Sequence, residues 1–289
     1  MKLKGRVAII TGAGRGIGKA IAHAYAREGA DVVAAARTFS EVKETCSQVA
    51  ALGRRALPLR VDVSRVEEVD HMVEAALSEF GKVDILVNNA GVLGPVGPLY
   101  ENDVDEWVEA VNVNLFGTFL CCRAVIPFMV RQRSGKIINL SGGGAAYPKP
   151  MFSAYACSKA SVVRLTEVLA EEVKEFNVQV NAMAPGPVKT RIQERILEAG
   201  EKAGLRTLKE AEEVIKGGGT SAESAAELAV FLASDESDGL TGRLISAVWD
   251  DWRNMTKERI EEIMLKDLYT LRRIDNVFFA PTERQSKKR

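Results

Sequence analysis

Tyr155 and Lys159 stand four residues apart. On a helix that spacing puts both side chains on one face. A phenol beside an ammonium can give and take a proton. Free tyrosine titrates near 10, and a neighbouring positive charge favours the phenolate and draws that value down. Far upstream, Thr11-Gly12-Ala13-Gly14-Arg15-Gly16-Ile17-Gly18 is a glycine-rich run. Glycine lets the backbone turn tightly and approach a ligand closely. Free N–H groups where a helix begins suit a pyrophosphate. Arg15, inside the run, and Arg37 beyond it carry guanidiniums that suit a dianion needing charge and hydrogen bonds together.

These residues need elements to hold them. Residues 7–10 are an apolar, β-branched run that reads as a buried strand ending at the glycine run, and a helix follows over about 15–28. Further strands read at 31–36, 56–61, 85–87, 136–140, 179–184 and 244–248, and helices at 40–52, 66–80, 106–133 and 153–176. Strand and helix alternate at about the thirty-residue length of a βαβ unit. The pattern predicts an α/β fold, a Rossmann-type doubly wound parallel sheet with helices on both faces. The rhythm breaks at 191–219, a charged, helix-prone insertion ending in Gly217-Gly218-Gly219, and again after the last strand. We therefore expect one nucleotide-binding catalytic domain over 1–250, with a substrate lid at 191–219, and a C-terminal extension over 251–289.

Composition narrows the class. Lys+Arg and Asp+Glu are both 39 in 289 residues, 46% of them hydrophobic, which is a soluble globular balance. It excludes disorder and a wholly basic nucleic-acid binder. Four cysteines without a C-x-x-C pair, and only His23 and His71, argue against a disulfide scaffold and against any metal site. They read as reduced thiols of a cytoplasmic protein. Residues 7–10 are too short for a signal-peptide core, and the uncharged stretches are broken by Gly and Pro, so no membrane span is expected. Residues 253–289 hold ten basic and six acidic residues. Ile260, Ile263, Met264, Leu268 and Leu271 there follow helical spacing. Trp249, Trp252, Tyr269, Phe278 and Phe279 suit packing on the body or a neighbouring subunit, and 286–289 reads as a frayed end.

The spacing of the glycines is G-x-x-x-G-x-G, and here the chain resembles the short-chain dehydrogenase/reductase family in its compact single-domain branch. TGAGRGIG matches that family's TGxxxGxG, Asn88-Asn89-Ala90-Gly91 its NNAG, Tyr155 to Lys159 its YxxxK, and Pro185 to Thr190 its PG-x-V-x-T. The resemblance covers roughly residues 4–248. It implies a nicotinamide dinucleotide held by Gly12, Arg15, Gly16, Ile17, Gly18, Asn89, Ala90, Gly91, Tyr155, Lys159, Pro185, Gly186, Val188 and Thr190. Asp62 and Val63 are similar to the residues that meet the adenine. Strand two ends in Ala36 and Arg37, where NAD-preferring folds carry an acidic residue, so NADP(H) is the expected cofactor. By the same resemblance Tyr155 is general acid and base for a carbonyl or alcohol, Lys159 holds the nicotinamide ribose, and Asn114 leads to a water chain. A local bond from the Asn114 amide to the i−4 carbonyl is the plainer alternative.

One position departs from the family. Gly142 stands where the carbonyl-orienting serine is usual, and Ser141 comes one residue early. Neighbouring strand residues face opposite ways, so Ser141 replaces that serine only if the glycine run 142–144 re-aims the chain. Backbone N–H groups or Ser153 are the other candidates. Leu93, Gly94, Tyr147, Met151, Phe152 and Pro187 hold family positions facing the substrate and suit a small apolar one. Arg191 and Arg195 read first as a solvated helix face. Two rival readings stay open: an NADP(H)-binding regulatory protein whose turnover decayed with the serine, and an epimerase or dehydratase. The resemblance also implies a homodimer or homotetramer.

Overall fold

Runs of valine, isoleucine and alanine form seven parallel strands, and the amphipathic segments between them form helices. The computed structural model describes residues 1–273. Its elements are β1 (Val7–Thr11), α1 (Gly16–Arg27), β2 (Asp31–Ala36), α2 (Phe39–Ala51), β3 (Ala56–Arg60), α3 (Val66–Phe80), β4 (Ile85–Asn88), α4 (Val104–Val111), α5 (Gly117–Gln132), β5 (Gly135–Leu140), α6 (Ser153–Val173), β6 (Val178–Ala184), α7 (Arg191–Ala199), α8 (Leu205–Glu213), α9 (Ala222–Ala233), β7 (Leu244–Ser246) and α10 (Lys257–Met264). The sheet order is β3-β2-β1-β4-β5-β6-β7. It is a Rossmann-type sheet with helices on both faces.

The core is two apolar layers, one on each face of the sheet. Ile9 and Ile10 are neighbours in β1, and Ile137 and Ile138 in β5, yet each pair splits between the layers, as the pleat requires. Every residue of β1, β4 and β5 is buried, which is why these strands read as continuous apolar runs. The chain winds outward from β1 to β3, then crosses back to place β4 on the other side of β1. That reversal leaves a crevice at the carboxyl ends of β1 and β4, where open α/β sheets bind ligands.

Three elements differ from expectation for physical reasons. The long helix at 106–133 is α4 and α5 joined by a π-helical turn at Asn112–Phe116. The residue inserted there shifts the side chains that follow around the axis. By length and composition the 104–132 helix is apolar enough to cross a membrane, but half of the qualifying stretch is buried inside the body. The last strand stops at Ser246 rather than 248. Asp250 accepts the Ser246 N–H at 2.6 Å, and Ser246 Oγ accepts from Val248 and Trp249, so the chain turns away. Helix α9 was not separately legible.

Beyond β7 the chain lies back on the body. Trp252 is buried against Phe231, whereas Trp249 is exposed. The N–H of Leu244 donates to the Tyr269 carbonyl at 2.8 Å, so the tail takes a donor of edge strand β7. The Arg243 guanidinium is buried and donates to the carbonyls of Thr241, Gly242, Ile263 and Lys266. Glu167 on α6 accepts from the Leu271 N–H at 2.7 Å and pairs with Arg164 and Arg272. Phe278, Phe279 and the end at 286–289 lie outside the described residues.

Candidate active site

A cleft of about 1140 Å³ opens at the carboxyl ends of β1 and β4. It runs from the glycine turn, past Arg37 and Asp62, to Ser141, Tyr155 and Lys159. Its first wall is the start of α1. No side chain caps that end of the helix and no acidic residue lies in its first turn, so its N–H groups face the cleft unopposed. Gly12 and Gly16 have φ of +64° and +54°. A Cβ on Gly12 would lie 2.8 Å from Asn89 Nδ2, and one on Gly18 would overlap the Gly12 carbonyl. The glycines let the turn pack closely on Asn89, and the helix start they leave open fits the pyrophosphate of a dinucleotide.

Asn89 ties the turn to β4. Its Nδ2 donates to the carbonyls of Thr11 and Gly12 at 2.9 and 3.1 Å, while its own N–H and that of Ala90 donate to Thr11 Oγ1. Arg15 pairs with Glu41 at 3.1 Å and Arg37 with Glu109 at 3.7 Å, all four lining the cleft. Burial raises the Asp62 carboxyl, but the Ser64 hydroxyl and N–H, with Arg37 and Arg65 nearby, bring it below its ordinary value.

The buried Tyr–Lys pair sits at the other end of the cleft. Tyr155 and Lys159 share one face near the start of α6, and both are buried. Lys159 Nζ donates to the Leu140 carbonyl at 2.7 Å and lies 5.9 Å from the centre of the Tyr155 ring. Burial pushes the Tyr155 phenol up to about 12 and draws the Lys159 ammonium down to about 8. The expected lowering of Tyr155 by Lys159 is not seen: burial moves both groups toward their neutral forms.

Ser141 lines the cleft, and its buried Oγ has no hydrogen-bond partner among the described residues. The ladder to β6 runs one residue past Leu140, with the Ser141 N–H donating to the Met183 carbonyl at 2.8 Å, and the glycine run turns after Gly142. Gly142 has its own reason. A Cβ there would stand 2.5 Å from Tyr155 Oη, so the tyrosine hydroxyl occupies the space a serine would need. Ser153 is committed elsewhere, accepting from Asn102 Nδ2 and Trp107 Nε1 at 3.1 Å each.

The Asn114 side chain is held by its neighbours. It is fully buried, does not line the cleft, and its amide is engaged within the protein. Oδ1 accepts from the Val92 N–H at 2.8 Å, and Nδ2 donates to the Val92 carbonyl and to Ser158 Oγ. The π-turn aims the amide at the strand-four loop, not at an i−4 carbonyl. Gly18, Gly186 and Val188 also lie behind the cleft wall, whereas Pro185 and Thr190 line it. Of the substrate-side residues, Leu93 and Gly94 line the cleft, Phe152 is buried behind Tyr155, Tyr147 is exposed, and Met151 and Pro187 do not line it. Arg191 and Arg195 are exposed but do line the cleft, beside Glu194 and Glu198. Sequence reasoning missed Glu41 and Glu109. Only the acidic first turn of α2 hinted at the former.

Residues 6–201 match the family described as short chain dehydrogenase. The chain is 34% identical over 245 residues to 3-oxoacyl-(acyl-carrier-protein) reductase FabG of Thermotoga maritima, covering 85% of this chain and 97% of the relative. It is 38% identical over 243 residues to 3beta-hydroxysteroid dehydrogenase 1 of Eggerthella lenta, covering 83% and 91%. Among solved structures, levodione reductase superposes with a TM-score of 0.78 at 29% identity, covering 84% of this chain and 96% of that one. NAD+-bound xylitol dehydrogenase superposes at 0.80 and 26% identity, covering 85% and 98%.

The displaced Lys159 gives a pH signature. Its folded value of about 8 lies below the ordinary 10.5. Between those values the unfolded chain holds more protons on this residue, so stability rises with pH. We expect the wild type to gain about 2 kcal/mol relative to Lys159→Met between about pH 7 and pH 10, read by urea unfolding at both. A difference that stays constant would show that Lys159 titrates at its ordinary value.

Proposed function

The chain belongs to the short chain dehydrogenase family of oxidoreductases, and we propose that it transfers a hydride between NADP(H) and a carbonyl or alcohol group of a small, apolar substrate. The observation that carries this reading is one cleft joining the glycine cradle to the buried Tyr155 and Lys159. A bound nicotinamide supplies or accepts the hydride. The start of α1, with Gly12, Gly16 and Ile17, holds the pyrophosphate, while Asp62 and Val63 meet the adenine. Lys159 holds the ribose and bears positive charge below about pH 8. Tyr155, neutral at that pH, gives its Oη proton to the carbonyl oxygen in reduction and regains it from solvent. The hydride on carbon and the proton on oxygen together make the alcohol. The free hydroxyl of Ser141 donates to the same oxygen and orients it. Asn114 is a positioning residue, clasping Val92 and Ser158.

Apolar side chains surround the reacting end. Leu93, Phe152, Tyr155 and Ile196 form one buried cluster, with Ile192 and Leu197 of α7 packed on it. The 191–219 segment is in this reading a lid, hinged at Gly217, whose φ is +106°. The names of the relatives, reductases and dehydrogenases of oxo or hydroxy compounds, accord with carbonyl chemistry. A decayed regulatory binder is disfavoured, because it needs no buried Tyr–Lys pair on the cleft. Three of the four cysteines are buried free thiols, which suits the cytoplasm.

NADPH oxidation should be followed against a panel of ketones. Tyr155→Phe is expected to lower turnover by about 10²- to 10⁴-fold with NADPH affinity held within about twofold. Ser141→Ala should cost about 10²-fold in turnover. Equal loss of turnover and affinity in the tyrosine variant overturns the catalytic assignment, and an unaffected Ser141→Ala passes its role to backbone N–H groups.

Cofactor preference rests on Arg37 and Arg15, both on the cleft, and on the absence of a carboxylate at the end of β2. Arg37→Asp should weaken NADPH binding by at least about tenfold more than NADH binding, measured by fluorescence titration. An unmoved ratio refutes the NADP(H) assignment.

The homodimer or homotetramer reading is supported by exposed apolar side chains along the 104–132 helix. Val104, Val108, Phe116 and Phe119 all face solvent, and the two phenylalanine rings stack at 5.7 Å. Val108→Glu should reduce the sedimentation coefficient of the wild-type oligomer. A wild type that sediments as a monomer ends this reading.

A further inference from the structure

Each arginine assigned above to the 2′-phosphate already has a carboxylate partner. Arg37 shares a looser pair with Glu109, and both of those side chains are more than half exposed. The Arg15 pair is tighter. Glu41 Oε1 lies 3.1 Å from Arg15 Nη1, and the Glu41 side chain is only 33% exposed. Glu41 is the acidic residue in the first turn of α2, where the helix dipole favours a negative charge. It is also pressed against the glycine turn. A Cβ on Gly14 would lie 2.7 Å from Glu41 Cβ and 2.9 Å from its Oε2, so a side chain at position 14 would displace it. Thr45, one turn on, donates from Oγ1 to the Ala13 carbonyl and fixes α2 in that place. The carboxylate therefore stands by construction at the corner of the cleft where Arg15 would meet a phosphate.

We infer that Glu41 is a specificity-determining residue that competes with the cofactor's 2′-phosphate for Arg15 and so narrows the preference for NADP(H) over NAD(H). The inference rests on the NADP(H) reading of this cleft. A 2′-phosphate gains Arg15 only if the guanidinium leaves Glu41, and the freed carboxylate then faces a dianion. An unphosphorylated ribose makes no such demand, and the Arg15–Glu41 pair stays closed beside it. The cleft thus holds two arginines suited to NADP(H) and one carboxylate that moderates them.

The test needs no substrate. The nucleotides 2′,5′-ADP and 5′-AMP differ by the 2′-phosphate alone, and calorimetry can measure both on wild type, Glu41→Gln, Arg15→Gln and the double variant. Glutamine keeps the shape against Gly14 and removes the charge. Glu41→Gln is expected to tighten 2′,5′-ADP by about five- to tenfold and 5′-AMP by less than about twofold. In the Arg15→Gln background the same change should tighten 2′,5′-ADP by less than about twofold. Unchanged or weaker 2′,5′-ADP binding in Glu41→Gln, an equal gain for both nucleotides, or an equal gain in both backgrounds overturns the inference. Wild type that binds both nucleotides equally overturns the NADP(H) reading instead, and the Glu41→Gln gain is still judged against that wild type.

Discussion

The carboxamide of Asn89 holds together the two strand ends on which the rest of the site depends. It donates to the carbonyls of Thr11 and Gly12, while its backbone N–H and that of Ala90 take Thr11 Oγ1. Those carbonyls and N–H groups lie beyond the ladder bonds between β1 and β4, partly buried, where unpaired polar groups are costly. Satisfying them with two side chains, the Asn89 amide and the Thr11 hydroxyl, sets the glycine turn in place. It also explains Gly18, since any Cβ there would overlap the carbonyl that Asn89 binds. The start of α1 is then aimed into the crevice with its N–H groups free.

A second consequence of the buried sheet is its effect on charge. The carboxyl ends of the strands are lined by apolar elements, and Tyr155 and Lys159 sit among them rather than on a wet surface. Both protonation equilibria move toward the neutral form, the phenol up to about 12 and the ammonium down to about 8. The pair is thus a neutral acid beside a marginal cation. Gly142 belongs to the same arrangement: the phenol hydroxyl fills the place a side chain would take, while the buried Ser141 hydroxyl has no partner among the described residues. At the wetter end of the cleft the charges are paired instead, Arg15 with Glu41 and Arg37 with Glu109.

The C-terminal segment is coupled to the same framework. Helix α6 carries Tyr155 and Lys159 near its start and Glu167 farther along, where it meets Arg272 and the Leu271 N–H. Arg243 fastens α10 to the end of β7 through backbone carbonyls. The tail therefore braces helix α6 at a point beyond Tyr155 and Lys159 and covers a sheet edge.

Much of this was readable along the chain. Strand period, the glycine turn and the four-residue step from Tyr155 to Lys159 are local patterns, and local patterns mark most of the strands and helices. The same reading gathered Gly12, Arg15, Arg37, Asp62, Ser141, Tyr155 and Lys159 on one cleft. What it missed depends on distance in sequence. Glu41 meets Arg15 across 26 residues, and Asn114 clasps Val92 across 22, after a π-turn that no helical repeat announces. Burial, which decides the protonation of Tyr155 and Lys159, is likewise a property of everything packed around them. Spacing can place a residue on a face of its own element. Which groups meet it there, and how dry the meeting is, follows only from how the elements pack.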